Sequence, residues 1–264
     1  MTDNEVLHTL VVTNLCIGYK NKKHDIPVAK GIDFKLATGE LTAIVGVNGI
    51  GKSTLLRTLC AVQPKLSGGI SLKGKPISYY SKNVLATYIS IVLTEAIASK
   101  NMTVFELVAL GRQPYTNWLG TLTTLDLTKV DEALQMLELN DLKNKKCHEL
   151  SDGQLQRVLI GRALAQDTSM IMLDEPTTHL DLYHKVQILK LLKHIAHRTK
   201  KTIVFTSHEI ELAIQLCDKM LLLDGRTNPF GQPCELIEQK AFENLFPKDA
   251  VSFDAITGSF RVEK

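Results

Sequence analysis

Apolar residues in this chain gather into short continuous runs separated by longer stretches of mixed character. Leu41-Thr42-Ala43-Ile44-Val45, Met170-Ile171-Met172-Leu173, Thr202-Ile203-Val204-Phe205-Thr206 and the runs at 88–93 and 220–223 predict buried strands. Between them apolar positions recur at helical spacing: Leu55, Leu56 and Leu59; Val130, Leu134 and Leu137; Leu155, Val158, Leu159 and Ala163; Val186 and Leu189 within a helix predicted over 182–195. Strands alternating with helices imply parallel β-α units, hence an α/β sheet whose ligands sit at the carboxyl ends of its strands. Two stretches depart from that rhythm. Residues 9–15 and 32–36 are β-rich runs broken by a polar loop at 20–25, which reads as an antiparallel N-terminal unit. Residues 95–167 have a helical look and interrupt the alternation, as an inserted subdomain would. The sequence shows neither an internal repeat nor a low-complexity linker.

Composition narrows the partners. With 264 residues, 44% of them hydrophobic, the chain can bury a full core. A net charge of +3 is too small to point to nucleic acid or an anionic membrane surface. Cys16, Cys60, Cys147, Cys217 and Cys234 are scattered without a C-x-x-C pair, which suits reduced thiols better than a disulfide frame or a zinc site. His194 and His197 stand three apart on a predicted helix with no third ligand in view, and read as a basic, solvated face. The start of the chain carries Asp3 and Glu5 and no apolar h-region, so no secretory signal is expected. No apolar run approaches the ~18 residues of a membrane span.

The chemistry begins after the run at 41–45. Gly46-Val47-Asn48-Gly49-Ile50-Gly51-Lys52-Ser53-Thr54 has the form G-x-x-x-x-G-K-[ST], between a predicted strand and a predicted helix. The glycines let the backbone curl so that successive N–H groups point at phosphate oxygens. Lys52 would reach the β- and γ-phosphates and the Ser53 hydroxyl would ligate Mg²⁺. The motif in this context implies binding of a nucleoside triphosphate. Asp174 and Glu175 end the run at 170–173, and period-2 geometry sends them to opposite sides. In the company of Lys52 and Ser53 the first suits Mg²⁺ and the second suits orienting or deprotonating a water. Leu150-Ser151-Asp152-Gly153-Gln154 forms a capping box that opens a helix, and such a helix start is also a phosphate site.

In this order, the phosphate loop, L-S-x-G-Q, a strand with Asp-Glu and a histidine after the next strand resemble the ATP-binding subunit of an ATP-binding-cassette (ABC) transporter over nearly the whole chain. The resemblance implies a P-loop NTPase core with a mostly parallel sheet, an N-terminal antiparallel β subdomain and an inserted helical subdomain. The chain would form a single ATPase domain over 1–264, with 1–94 and 166–264 as its core and 95–165 as the helical signature subdomain. Tyr19, in Ile17-Gly18-Tyr19, matches the aromatic that stacks on adenine. Gly46, Asn48, Gly49, Gly51, Lys52, Ser53 and Thr54 would hold the phosphates and Mg²⁺. Ser151, Gly153 and Gln154 fall in the signature sequence, which in this family contacts the γ-phosphate held by the other subunit of a dimer. Asp174 looks like the Mg²⁺-directed aspartate and Glu175 like the base that polarises the attacking water. Thr178-His179-Leu180-Asp181 resembles the loop that crosses the dimer interface, and His208 the switch histidine at the γ-phosphate.

Two positions depart from the family pattern. Asp152 stands where a second glycine is usual, so its carboxylate should point away from the γ-phosphate. Where the family places a Mg²⁺-ligating glutamine the strand ends Ile91-Val92-Leu93-Thr94-Glu95. Either Thr94 or Glu95 offers an oxygen that Mg²⁺ accepts, and both stay open. Downstream, Met102-Thr103-Val104 through Leu110-Gly111-Arg112-Gln113-Pro114-Tyr115, then Trp118-Leu119-Gly120, is similar to the helical subdomain of importers for iron–siderophore complexes, haem and cobalamin. Arg112, Pro114 and Tyr115 also have a plainer reading as a surface turn closing a helix. The resemblance therefore implies a homodimeric subunit that hydrolyses ATP to ADP and phosphate. It would sit at the cytoplasmic face of the plasma membrane on permease subunits, served indirectly by an extracytoplasmic substrate-binding protein. A soluble ABC ATPase in iron–sulfur assembly or repair is the rival; repair-type relatives usually carry a long coiled-coil insertion, absent here. A nucleotide-binding module without turnover is disfavoured by the presence of both Glu175 and His208.

Overall fold

Both faces of the apolar strand runs are covered, as a parallel sheet requires. The computed structural model describes residues 8–22, 24–94, 100–245 and 251–262, so Glu95 lies outside the described residues. The chain runs β1 (His8–Tyr19), β2 (Ile26–Ala37), β3 (Leu41–Val45), α1 (Lys52–Leu59), β4 (Ser67–Leu72), β5 (Lys75–Pro76), α2 (Lys82–Tyr88) and β6 (Ile89–Val92). Then come α3 (Val104–Ala109), α4 (Thr124–Met136), α5 (Asp152–Ala165), β7 (Met170–Leu173), α6 (Leu182–Thr199), β8 (Thr202–Ser207), α7 (Ile210–Leu216) and β9 (Lys219–Leu222). The chain ends with β10 (Phe230–Gly231), α8 (Pro233–Glu238), β11 (Val251–Asp254) and β12 (Ser259–Val262).

The central sheet has the order β10-β9-β3-β8-β7-β6, parallel from β9 to β6 and closed on one edge by antiparallel β10. Successive side chains alternate between two cores. Leu41, Ala43, Val45, Ile171, Leu173, Ile203 and Phe205 face the core shared with α3–α7. Ile44, Met170, Met172 and Val204 face a second core, with Leu55, Leu56 and Leu59 of α1 and the antiparallel sheet β2-β1-β4-β5.

The structure lengthens two of the expected strands. β1 and β2 continue well beyond 9–15 and 32–36 because their pairing passes through irregularities, one between Val12 and Leu15 around the left-handed Asn14 (φ 42°). Leu15 and Ile17 are fully buried beyond it. The run at 88–93 is split, with α2 ending on Tyr88 and β6 starting at Ile89. In the helical block Val108, Val130, Leu134, Leu137 and Val158 are buried together. Each of α3, α4 and α5 opens on a capping box, Thr103–Glu106, Thr123–Asp126 and Ser151–Gln154. Arg112 is buried, not a surface-turn residue. Its Nε donates to Asp126 Oδ1 at 2.8 Å and its terminal nitrogen to Ala165 O at 2.8 Å. His197 is half-exposed and pairs with Asp218 at 2.9 Å, so one member of the expected solvated histidine face is held by a carboxylate.

Candidate active site

The carboxyl ends of β3, β7 and β8 carry the loops that meet at the site. After β3 the chain turns through Gly46–Thr54 into α1. Asn48 and Gly49 form the exposed tip, while Lys52 and Thr54 are buried. Gly51 has φ 111°, and a Cβ there would lie 2.5 Å from Val28 Cγ1, so only glycine fits without displacing β2. At Gly46 a Cβ would meet the Leu223 carbonyl at 2.6 Å. Lys52 Nζ donates to the carbonyls of Gly46 (3.0 Å) and Val47 (3.2 Å), holding the loop closed. Burial pushes its ammonium below the usual lysine range, and the Glu175 and Asp174 carboxylates oppose that push.

Ser53 at the start of α1 donates to Asp174 Oδ1 at 2.9 Å, which joins the phosphate loop to the end of β7. Asp174 is held from both sides. Its N–H donates to Val92 O of β6 (2.8 Å), its carbonyl accepts the Thr94 hydroxyl (2.9 Å), and Oδ1 also accepts the Thr206 hydroxyl of β8 (2.7 Å). Glu175 has a left-handed backbone (φ 47°), an uncommon conformation for a residue with a Cβ. That bend breaks the strand alternation. Asp174 and Glu175 therefore do not point to opposite sides: Asp174 reaches Ser53 while Glu175 Oε1 stands 4.0 Å from Lys52 Nζ. Glu175 Oε2 accepts the Thr178 hydroxyl at 3.1 Å and lies 3.7 Å from Nδ1 of His208, which is half-exposed after β8.

The remaining candidates surround this centre. Tyr19, exposed at the end of β1, has its hydroxyl 3.4 Å from that of Thr54. Asp181 caps α6, accepting the His184 N–H at 2.9 Å and contacting its ring Nδ1 at 2.8 Å; the backbone hydrogen bond from His184 is the main reason its carboxyl is held below the usual range. A pocket of about 190 Å³ is lined by Thr94, Asp152, Gln156, Asp174, Glu175 and His179 among others. Ser151, Gly153 and Gln154 open α5, and among the described residues no hydrogen bond joins them to the phosphate loop. A Cβ on Gly153 would instead sit 3.1 Å from the His184 ring.

Two features were not singled out from the sequence. Thr206 bridges Asp174 and Glu175, and its only signal was a hydroxyl near the end of a strand run. Glu209 ties β8 to α6, accepting from Thr177 at 3.2 Å and pairing with Lys185. The assembled groups are a loop of amides and one lysine for phosphates, hydroxyl and carboxylate oxygens for a hard cation, and a second carboxylate beside a histidine. Together they can bind a nucleoside triphosphate and activate a water at its terminal phosphate.

The family model described as ABC transporter matches residues 29–178. An uncharacterised ABC transporter ATP-binding protein of Methanocaldococcus jannaschii is 36% identical over 255 residues, which covers 96% of this chain and 87% of the relative. The achromobactin transport ATP-binding protein of Dickeya dadantii is 35% identical over 236 residues, covering 89% of this chain and 86% of its own. A solved structure described as a metal-chelate type ABC transporter in an inward-facing conformation superposes with a TM-score of 0.78 at 28% identity, covering 96% and 95% of the two chains.

Proposed function

The chain belongs to the ABC transporter family, and we propose that it is the ATP-hydrolysing subunit that drives import of an iron–siderophore or related metal chelate through a membrane permease. The observation that carries the hydrolytic part is the meeting of Lys52, Ser53, Asp174, Glu175 and His208 at the carboxyl ends of three adjacent parallel strands. The similarity to the achromobactin subunit supports the substrate class. No helix among the described residues is long and apolar enough to cross a membrane, which fits a subunit held at the cytoplasmic face by its permease. Trp118, Leu119 and Leu125 stand exposed on the helical block. In this reading 1–94 and 166–264 form the catalytic core and 95–165 the helical subdomain.

Mg²⁺ fits the donor set, because Ser53 Oγ and Asp174 Oδ1 lie 2.9 Å apart as hard oxygen ligands, and Thr94 lines a pocket with Asp174. Thr94 Oγ1 gives its proton to the Asp174 carbonyl, so it would ligate through a lone pair. When bound, the ion would supply charge neutralisation at the β- and γ-phosphate oxygens. Backbone N–H groups of the loop and Lys52 would cradle those phosphates, and Tyr19 would stack on the base. Glu175, oriented by Thr178, would accept the proton of a water as its oxygen attacks the γ-phosphorus, and the bond to the β–γ bridging oxygen would break to leave ADP. His208 would donate to the γ-phosphate. Ser151 and Gly153 would meet the γ-phosphate of an ATP held by a second copy.

Glu175→Gln should keep ATP binding and lose about 10²–10⁴-fold in phosphate release, the range of a general base. Lys52→Ala should lose both. Fast turnover by Glu175→Gln removes Glu175 from its role. The import reading is tested by purifying the tagged chain from mildly solubilised native membranes. A stoichiometric polytopic protein should come with it, whereas soluble partners alone would replace the importer by an assembly factor.

A further inference from the structure

We infer that Thr206 is a positioning residue for hydrolysis, its single hydroxyl fixing both the Asp174 carboxylate and the Glu175 backbone; this rests on the roles proposed for those two acids. Thr206 is fully buried near the end of β8. A hydroxyl carries one proton and two lone pairs. A carboxylate only accepts and an amide N–H only donates, so the directions are settled. Thr206 donates to Asp174 Oδ1 at 2.7 Å and accepts the Glu175 N–H at 2.8 Å.

The placement gives the hydroxyl three effects. Oδ1 of Asp174 receives both Thr206 and Ser53, at 2.7 and 2.9 Å, so its rotamer is set by donors from β8 and α1 at once. The Glu175 N–H ties the left-handed turn at φ 47° to β8. That turn aims the Glu175 side chain at Lys52 and His208 instead of away from them. Meanwhile β8 does not need the hydroxyl for its own pairing, since Thr206 lies opposite Ile44 in the β3 ladder through backbone alone. A valine would fill the same volume and suit the apolar run better.

The test compares Thr206→Val, of the same shape without the hydroxyl, with Thr206→Ser, which keeps it, beside wild type and Glu175→Gln. In Thr206→Val, kcat should fall about 10- to 100-fold, as when a partner supporting a metal or catalytic ligand is removed, with KM for ATP within about threefold. Thr206→Ser should stay within about threefold of wild type. Equilibrium binding of a fluorescent ATP analogue gives a readout apart from turnover. Its gain in affinity on adding Mg²⁺ should shrink in Thr206→Val and persist in Thr206→Ser. A kcat for folded Thr206→Val near wild type, or equal losses in Val and Ser, overturns the inference. Turnover retained by Glu175→Gln instead overturns the site assignment itself. Should Thr206→Val fail to fold, Thr206→Ala against Thr206→Ser gives the same contrast of hydroxyl present and absent.

Discussion

Gly51 shows how little room the phosphate loop leaves at the scale of one residue. Its φ of 111° and the 2.5 Å approach of a Cβ to Val28 Cγ1 mean that Gly51→Ala must strain the loop or push β2 aside. We expect it to destabilise the fold by about 1–3 kcal/mol and to abolish nucleotide binding, read by thermal melting and by titration with a fluorescent ATP analogue. At this scale the sequence was most readable where spacing itself encodes geometry. Lys52 and Ser53 follow the glycines in a fixed order, and the structure brings both to Asp174 and Glu175. What spacing cannot encode is a backbone that leaves its period. Nothing in Asp174-Glu175 announces that the second residue turns left-handed, so alternation sent the two acids apart when they in fact face one loop. Thr206 was hidden for a related reason, because a threonine at a strand end is ordinary β sequence until its partners are seen.

Among the elements, the helical block depends on a buried ion pair that its sequence presents as a surface turn. Arg112 reaches Asp126 at the start of α4 and Ala165 O at the end of α5, and its guanidinium lies 4.0 Å from the centroid of the Tyr115 ring. Asp126 Oδ2 in turn accepts the Thr123 N–H and hydroxyl at 2.8 and 2.7 Å. Arg112→Ala leaves a buried carboxylate without its cation and should cost about 3–5 kcal/mol, measured by denaturant unfolding. The Thr123 hydrogen bonds, hydroxyl first, and then Arg112 hold the Asp126 carboxyl below its ordinary value of 3.8. A carboxyl lowered on folding stabilises above its unfolded value and loses that contribution as pH falls through the folded one. The stability gap between wild type and Asp126→Asn should therefore be full above pH 3.8 and narrow as pH falls below it. The strand and helix types in the core were legible because each apolar run had one period. The ends of β1 and β2 were not, since the irregular pairing around Asn14 places polar residues mid-strand that read as a strand's end.

Across the whole molecule, the start of α5 reaches the acid side of the site, where Asp152 and Gln156 line one pocket with Asp174 and Glu175, while among the described residues Ser151, Gly153 and Gln154 make no hydrogen bond to the phosphate loop. Gly153 packs against His184, whose ring contacts Asp181, so the signature and the loop expected at a dimer interface are joined within one chain. The proposed function then needs a second copy: a γ-phosphate held by one chain's Lys52 completes its contacts on the other chain's Ser151 and Gly153. Two-fold symmetry makes this contact reciprocal, so one substitution in the signature weakens both sites. In a Glu175→Gln background, which should retain ATP, adding nucleotide should drive dimer formation seen by size exclusion with light scattering. Gly153→Asp added to that background puts a carboxylate at the start of α5, where the helix dipole tolerates it but a γ-phosphate repels it. The double variant should bind ATP as a monomer with affinity close to that of Glu175→Gln and fail to dimerise. The new side chain must shift the His184 ring slightly, a cost that melting of the apo-protein would expose separately. Dimerisation that survives Gly153→Asp would mean that the signature does not face a partner's nucleotide, and the sites would have to be complete within one chain.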